Sequence, residues 1–487
     1  MTLRNNQSLE MNHEYKINLR HKKFMKMKFF LCLSVCLILT TCSFQREYNI
    51  SEEASDDYPE ISQRQRLVAV IEQNSTDYYI FNGEPMGFQF EMLQQLSQFL
   101  GMEVEIIVSN NIDDDFDALY NGKVDIIAKS QSPAEYRKDI VSYSLSLYST
   151  KHILVQRKET GGNKRLISDK TQLADKNIYI PLRSSFSETL NSLKKEGYPD
   201  IKFFEMPGYT AEQLVELVAK NELDYTVCNY EQASILAKEY PNLDFTTELN
   251  DNNPIGWIFR KKSTVLQKKV NDWLSYYRSS AQFAVKFHKY FEDRNNYANV
   301  NHHYVSVRSG SISRYDELIK KYSAHIDWDW RLLASLIYQE SRFNPKVRSH
   351  AGAYGIMQLM PSTRAYFGVD STSSVEKQIE AGVKFIKLLD KQIAPKIPDK
   401  EERVKFILAS YNIGWGHILD AVNIASKVGK NAQVWDQNVD SCLLSKSNPE
   451  IFQMADVKHG YAKGKETYKF VKQIIARFEH YKNLVSE

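Results

Sequence analysis

The sequence predicts a multidomain chain, an α/β region of two lobes followed by a mainly α-helical region, behind a short N-terminal address segment. Three observations carry that expectation. The 487 residues exceed what one ordinary core holds, since single domains run to about 100–200 residues. From Leu67 short β-rich runs alternate with helical periodicity, and from Arg314 onward the pattern turns almost wholly helical. Composition adds little: 43% hydrophobic and 25% charged residues describe ordinary globular material, and a formal charge of +3 leaves no footprint for nucleic acid. No metal site and no cofactor are expected.

The address segment is read first. Lys22, Lys23, Lys26 and Lys28 precede an apolar run from Phe29 to Thr41, too short for a bilayer-spanning helix of about 20 residues. A basic start and a short apolar core describe a secretory signal, beginning at Met25 or Met27, so residues 1–24 read as an upstream extension. The run ends Leu39-Thr40-Thr41-Cys42, which resembles a bacterial lipobox despite Thr41 at a position usually held by Gly, Ala or Ser. That resemblance implies diacylation of Cys42, a lipid anchor on the periplasmic side of the envelope; plain secretion with cleavage nearby is the alternative. Ser43 is not the aspartate that retains some lipoproteins at the inner membrane, so the resemblance favours the outer membrane. Residues 43–64, polar and acidic, are expected to form a tether. Of the five cysteines, Cys228 and Cys442 remain beyond the signal and are expected as separate buried thiols in different domains.

In the α/β region, Leu67–Ile71 reads as a buried strand, Leu93, Leu96 and Leu100 recur at helical spacing, and Val104–Val108 forms the next strand. Asp113–Asn121 reads as a helix stopped by Gly122, and Val124–Ala128 as a strand; a second series begins at Ile178. Over residues 65–292 the segments Gly83-Glu-Pro-Met-Gly-Phe88, Gly122-Lys-Val-Asp-Ile-Ile-Ala128 and Arg137-Lys-Asp-Ile-Val-Ser-Tyr-Ser144 resemble the type 3 periplasmic solute-binding family. The resemblance implies a two-lobed periplasmic-binding-protein-like fold. It puts Arg137 on the ligand's α-carboxylate, a task suited to a planar bidentate donor, and Ser132 on a ligand-contacting position. Ser184 and Ser185 are expected to open a helix whose free N–H groups favour anions. Asn229 stands where the family has the acid that pairs with a ligand ammonium, which points to a small ligand with a carboxylate and no demanding ammonium, muropeptide or amino-acid-like.

Residues 293–312, including Asn295-Asn-Tyr-Ala-Asn-Val-Asn-His-His303, lack both periodicities and read as a linker to a domain at 313–487. There Tyr315, Leu318, Ile319 and Tyr322 form one stripe. Asp329 can cap the next helix, on which Leu333, Leu336, Ile337 and Glu340 share a face before Asn344-Pro345 stops it. A carboxyl on an apolar face is costly to ionise, so Glu340 should be displaced towards the range of a general acid. Asp327 and Asp329 are better explained as caps, and Asp370 as a turn residue.

Glu340-Ser341, Gly355-Ile-Met-Gln-Leu-Met-Pro361, Ala409-Ser-Tyr-Asn-Ile-Gly-Trp-Gly-His417, Ile379-Glu-Ala-Gly-Val-Lys-Phe-Ile386 and Glu466-Thr467-Tyr468 occur in the order found in the goose-type lysozyme-like transglycosylase family. Ser410 interrupts the usual third motif, so Tyr411, Asn412 and Gly414 carry it. The resemblance implies a lysozyme-like fold acting on peptidoglycan glycan strands, with Glu340 as its catalytic acid. Substrate contacts are expected from Ser341, Gln358, Met360, Tyr411, Asn412 and Tyr468. Gly352 and Gly355 would let backbone approach a sugar, Gln358 would offer its amide to acetamido groups, and Tyr411 would hydrogen-bond Glu340. The implied reaction is lytic: one carboxyl protonates the bond between N-acetylmuramic acid and N-acetylglucosamine, then deprotonates the C6 hydroxyl, leaving a 1,6-anhydro end. A hydrolysing muramidase on the same fold, or a non-catalytic envelope sensor, remain alternatives.

Overall fold

The computed structural model describes residues 54–81, 83–133, 139–158, 166–292, 311–454 and 457–485. Cys42 with its signal, Arg137 and linker residues 293–310 lie outside them. Among the described residues no helix is long and apolar enough to cross a membrane.

Lobe 1 comprises α1 (Tyr58–Gln63), β1 (Arg66–Ile71), the hairpin β2 (Tyr79–Phe81) and β3 (Glu84–Met86), α2 (Phe88–Leu100), β4 (Glu103–Val108), α3 (Ile112–Tyr120), β5 (Ile126–Ile127) and β6 (Val141–Tyr143). Strand β1 shows why the α/β pattern was readable. Leu67, Ala69 and Ile71 enter one apolar cluster and Val68 and Val70 another, as the two-residue period of a strand covered on both faces requires. It pairs parallel to β4 on one side and to β5 on the other. The expected strand at Val124–Ala128 shrinks to its two central residues, because the buried Asp125 is turned to receive Val68 N–H and the Arg260 guanidinium. The expected tether also gives way in part. Asp57 and Glu60 close a capping box on α1, and Ile61 is fully buried, a local signal that acidic composition had masked.

Through β7 (Tyr148–Thr150) the chain enters lobe 2. This contains β8 (His152–Arg157), β9 (Asn177–Pro181), α4 (Ser185–Lys195), β10 (Lys202–Met206), α5 (Ala211–Ala219), β11 (Tyr225–Asn229), α6 (Tyr230–Glu239) and β12 (Leu243–Glu248). It returns through β13 (Asn253–Ile255), paired antiparallel to β7, into β14 (Ile258–Arg260), α7 (Thr264–Tyr277) and α8 (Ala281–Phe287). The lobe 1 sheet has the order β4-β1-β5-β14-β6, and the lobe 2 sheet β10-β9-β11-β8-β12. Cys228 on β11 and Cys442 in the helical domain are free and buried, as expected.

The helical domain comprises α9 (Asp316–Ser323), α10 (Trp330–Ser341), α11 (Pro361–Tyr366), α12 (Val375–Ile393), α13 (Lys400–Ile413), α14 (Trp415–Lys427), α15 (Asp440–Ser445), α16 (Pro449–Phe452) and α17 (Gly464–Leu484). Helix α10 packs against α17 and α9. The apolar cluster of this domain continues into lobe 1. Polar contacts mark the same seam: Tyr481 Oη donates to the Gly83 carbonyl at 2.5 Å, Tyr338 Oη donates to Glu84, and Asn483 Nδ2 donates to the Ile106 carbonyl at 3.0 Å. Tyr78 Oη meets His480 Nδ1 at 2.6 Å, and burial holds that imidazole down at about 4, so it is neutral there.

Candidate active site

Helix α10 begins where the sequence placed its cap: Asp329 accepts from Arg331 N–H at 2.9 Å and also grips the Arg331 guanidinium. Asp327 caps the other end of the junction: it is the left-handed C-cap, at φ 55°, of the short 3-10 turn Ala324–Ile326, and it pairs with Lys400. Leu333, Leu336 and Ile337 are fully buried, and Glu340 extends their stripe into the last turn, half-buried. The helix stops before Asn344-Pro345, because Arg342 and Phe343 turn left-handed and Arg342 N–H closes on the Tyr338 carbonyl.

Desolvation pushes the Glu340 carboxyl up to about 8, and neither a charged neighbour nor a hydrogen bond contributes. At neutral pH the group therefore carries a proton. Asp370 is exposed and turns its Oδ1 onto Thr372 N–H and the hydroxyls of Thr372 and Ser373, as expected. It is a turn residue.

Around Glu340 the structure gathers the expected motifs but reassigns several atoms. Ser341 is buried, and its Oγ donates to the Ile356 carbonyl at 2.7 Å, so its proton is held inside the protein rather than offered to a sugar. Gln358 sits at φ 47°, with Nε2 donating to the Val347 and Gly355 carbonyls at 3.0 and 2.8 Å. Both amide hydrogens hold the loop, and only Oε1 is left to face a substrate. Tyr411 does not bond Glu340: its hydroxyl donates to the Met357 carbonyl at 2.7 Å. It lies close enough for the Glu340 charge to help push the phenol up, after burial. Asn412 is exposed and accepts from Thr467 Oγ1 at 2.7 Å, tying α13 to α17 beside the half-buried Tyr468. Met360 is 44% exposed at the start of α11.

Gly355 has a different reason from the expected sugar approach. A Cβ there would stand 2.2 Å from Gln378 Oε1. Gln378 is 5% exposed on α12 and was missed by sequence reasoning; its Oε1 accepts from Ile356 N–H at 2.9 Å. The available signal was helical spacing, since Gln378, Gly382 and Phe385 share one face of α12.

The cleft between the lobes is the second site. Ser184 caps α4, Ser185 follows it in the first turn, and both are buried. Ser132 is buried, with Oγ unpartnered. Asn229 caps α6 and reaches across the lobes, its Nδ2 donating to the Ser130 carbonyl at 3.3 Å while Oδ1 finds no partner. Other contacts across the lobes are Ser75 N–H to Glu212 at 2.9 Å and Arg183 to Asp113 at 2.5 Å. A cavity of about 40 Å³, bordered by Glu72, Lys129, Gln131 and Ser184, remains beside them. Carboxyl groups of Glu72 and Asp77 also lie at this cleft, on other elements than Asn229. Burial raises Glu72 to about 7 and Asp77 to about 6, with Asn74 bridging them, and the Glu212 charge reaches Glu72.

Comparisons with known proteins follow this geometry. Residues 67–293 match the bacterial extracellular solute-binding proteins, family 3, and residues 317–434 match the transglycosylase SLT domain. A membrane-bound lytic murein transglycosylase F of Desulfosudis oleivorans is 28% identical over 86% of this chain and 90% of its own length. One from Histophilus somni is 29% identical over 85% of this chain and 84% of its own. Among solved structures, a mutant of the T. maritima protein ArgBP aligns at 20% identity and a TM-score of 0.41, over 48% of this chain and 99% of that one.

Proposed function

We propose that the chain, whose residues 67–293 and 317–434 match a family 3 solute-binding domain and a transglycosylase SLT domain, is a peptidoglycan lytic transglycosylase of the cell envelope that works through Glu340 as its acid. The observation that carries the role is a carboxyl kept protonated at neutral pH by burial alone, on the helix that the first motif occupies. Two carboxylates are the usual glycosidase equipment. A single one suffices if the nucleophile is the substrate's own hydroxyl. Glu340 gives its proton to the glycosidic oxygen as the C1–O bond breaks, and the 2-acetamido group stabilises the electron-poor C1. The carboxylate left behind takes the proton of the C6 hydroxyl, whose oxygen bonds to C1 and closes the 1,6-anhydro ring. The proton count on Glu340 is restored and no water is consumed.

Mass spectrometry of products from purified sacculi tests this. Anhydro-muropeptides are expected; reducing ends instead would make the protein a hydrolase, and the absence of any product would bring the sensor reading forward.

The solute-binding domain is proposed to regulate the enzyme by closing on a small ligand, through Ser132, Arg137, Ser184, Ser185 and Asn229. Regulation requires the ligand to distinguish two arrangements of the chain, and lobe 1 touches the Glu340 helix at Tyr338 and α17 at Tyr481. Turnover on sacculi that is indifferent to every muropeptide and amino acid tried would remove this part. Cys42 is proposed as the lipidated residue holding the chain at the outer membrane; Cys42→Ser should release it from the membrane fraction, and retention would rule the anchor out.

A further inference from the structure

We infer that Gln378 is a positioning residue for the reaction, seating the Gly355–Gln358 loop so that its carbonyls hold both the end of the acid-bearing helix and Tyr411 in place. The inference rests on the assignment of Glu340 as the acid. Gln378 is 5% exposed and uses both ends of its amide: Oε1 accepts from Ile356 N–H at 2.9 Å, and Nε2 donates to the Ser373 carbonyl at 3.1 Å. The same peptide segment then faces the other way. The Ile356 carbonyl receives Ser341 Oγ at 2.7 Å, one residue from Glu340, and the Met357 carbonyl receives Tyr411 Oη at 2.7 Å.

The rest of that face of α12 is shaped for the loop. At Gly382, one turn beyond Gln378, a Cβ would come within 2.4 Å of Met357 Cε, so the glycine makes room for the Met357 side chain. Phe385, a further turn on, packs against the Tyr411 ring at 5.2 Å between centroids. Gly355 has no Cβ where Gln378 Oε1 arrives. One buried amide therefore sets the height of a loop from which two hydrogen bonds reach the surroundings of the acid. Misplacement of a catalytic group by about 1 Å costs on the order of 100-fold in rate, so loss of this seat should be read in turnover rather than in binding.

The test compares Gln378→Met, which keeps the volume and removes both hydrogen bonds, with Gln378→Glu. A buried glutamic acid takes a proton and can still accept from Ile356 N–H and donate to Ser373. Full-length protein in detergent is assayed on solubilised peptidoglycan strands, with kcat, KM and the pH profile measured beside the melting temperature. Gln378→Met is expected to lower kcat about 30- to 100-fold with KM within about threefold, and to move the alkaline limb of the profile. Gln378→Glu is expected to stay within about fivefold of wild type. Ser341→Ala should move the same limb, and adding it to Gln378→Met should cost less than the product of the two single losses.

Wild-type kcat in Gln378→Met would overturn the inference. So would an equal failure of Gln378→Glu, or a loss of activity tracking the melting temperature alone. If Gln378→Met does not fold, an unmoved kcat and alkaline limb in Ser341→Ala overturn it. Residual activity in Glu340→Gln would instead defeat the underlying assignment of the acid, so the two failures are distinguishable.

Discussion

Glu340→Gln is expected to reduce lytic turnover by about 1000-fold or more while leaving the fold intact. General acid catalysis alone is worth about 100- to 10,000-fold, and among the described residues no second carboxyl contributes to the electrostatics of Glu340. The amide keeps the shape of the side chain at the end of the Leu333, Leu336 and Ile337 stripe and needs no proton to remain neutral. The wild-type rate should hold up to about pH 8 and fall about tenfold per unit above it, as the acid form is titrated away.

Stability should move with the same group. Glu340 ionises near 4.5 when unfolded and near 8 when folded, so the folded state holds the proton more tightly. Its contribution is full below about pH 4.5, is lost as pH rises towards about 8, and is constant beyond. Glu340→Gln should therefore be less sensitive than wild type to pH across that window. Differential scanning calorimetry of the two proteins, with a rate profile on sacculi, checks both statements. An unchanged slope in the variant would assign the pH dependence elsewhere.

Gly355→Ala is expected to destabilise the helical domain by about 2–5 kcal/mol and to suppress activity with it. Backbone at φ +88° in a non-glycine residue costs about 1–2 kcal/mol. Overpacking adds about 1–3, because the new methyl would meet Gln378 Oε1 at 2.2 Å and that amide is held at both ends. Gly352→Ala is the control. It has the same φ of +88°, but its nearest heavy atom is Pro361 Cγ at 3.5 Å, an ordinary contact, so only the strain is expected. Denaturant unfolding of both variants separates the two costs. Equal losses would show that the Gln378 contact is soft.

Much of the site was legible before any coordinates. The stripe leading to Glu340, the Asp329 cap and the order of the motifs are local patterns, set by the 3.6-residue period and by side chains reaching backbone within one turn. Ser341, Gln358 and Tyr411 belong to the same neighbourhood, yet their expected hydrogen-bond partners were not the ones found. Each has one or two hydrogens to give, and loops distant in sequence claim them first: Ile356 and Val347 carbonyls for the former two, Met357 for the last. Gln378 was invisible for the same reason, since its job depends on a loop about twenty residues earlier passing over it.

By itself, then, the sequence determined the succession of a two-lobed α/β domain and a helical one, the helix on which Glu340 ends an apolar stripe, and the chemistry a carboxyl there could perform. Tertiary structure alone decided that desolvation raises Glu340, that burial raises Glu72 and Asp77 beside the cleft, and that lobe 1 shares an apolar cluster with the helical domain. The division is physical: periodicity and capping act within a turn or two of chain, whereas desolvation and the competition for a hydrogen are set by whichever atoms folding brings alongside.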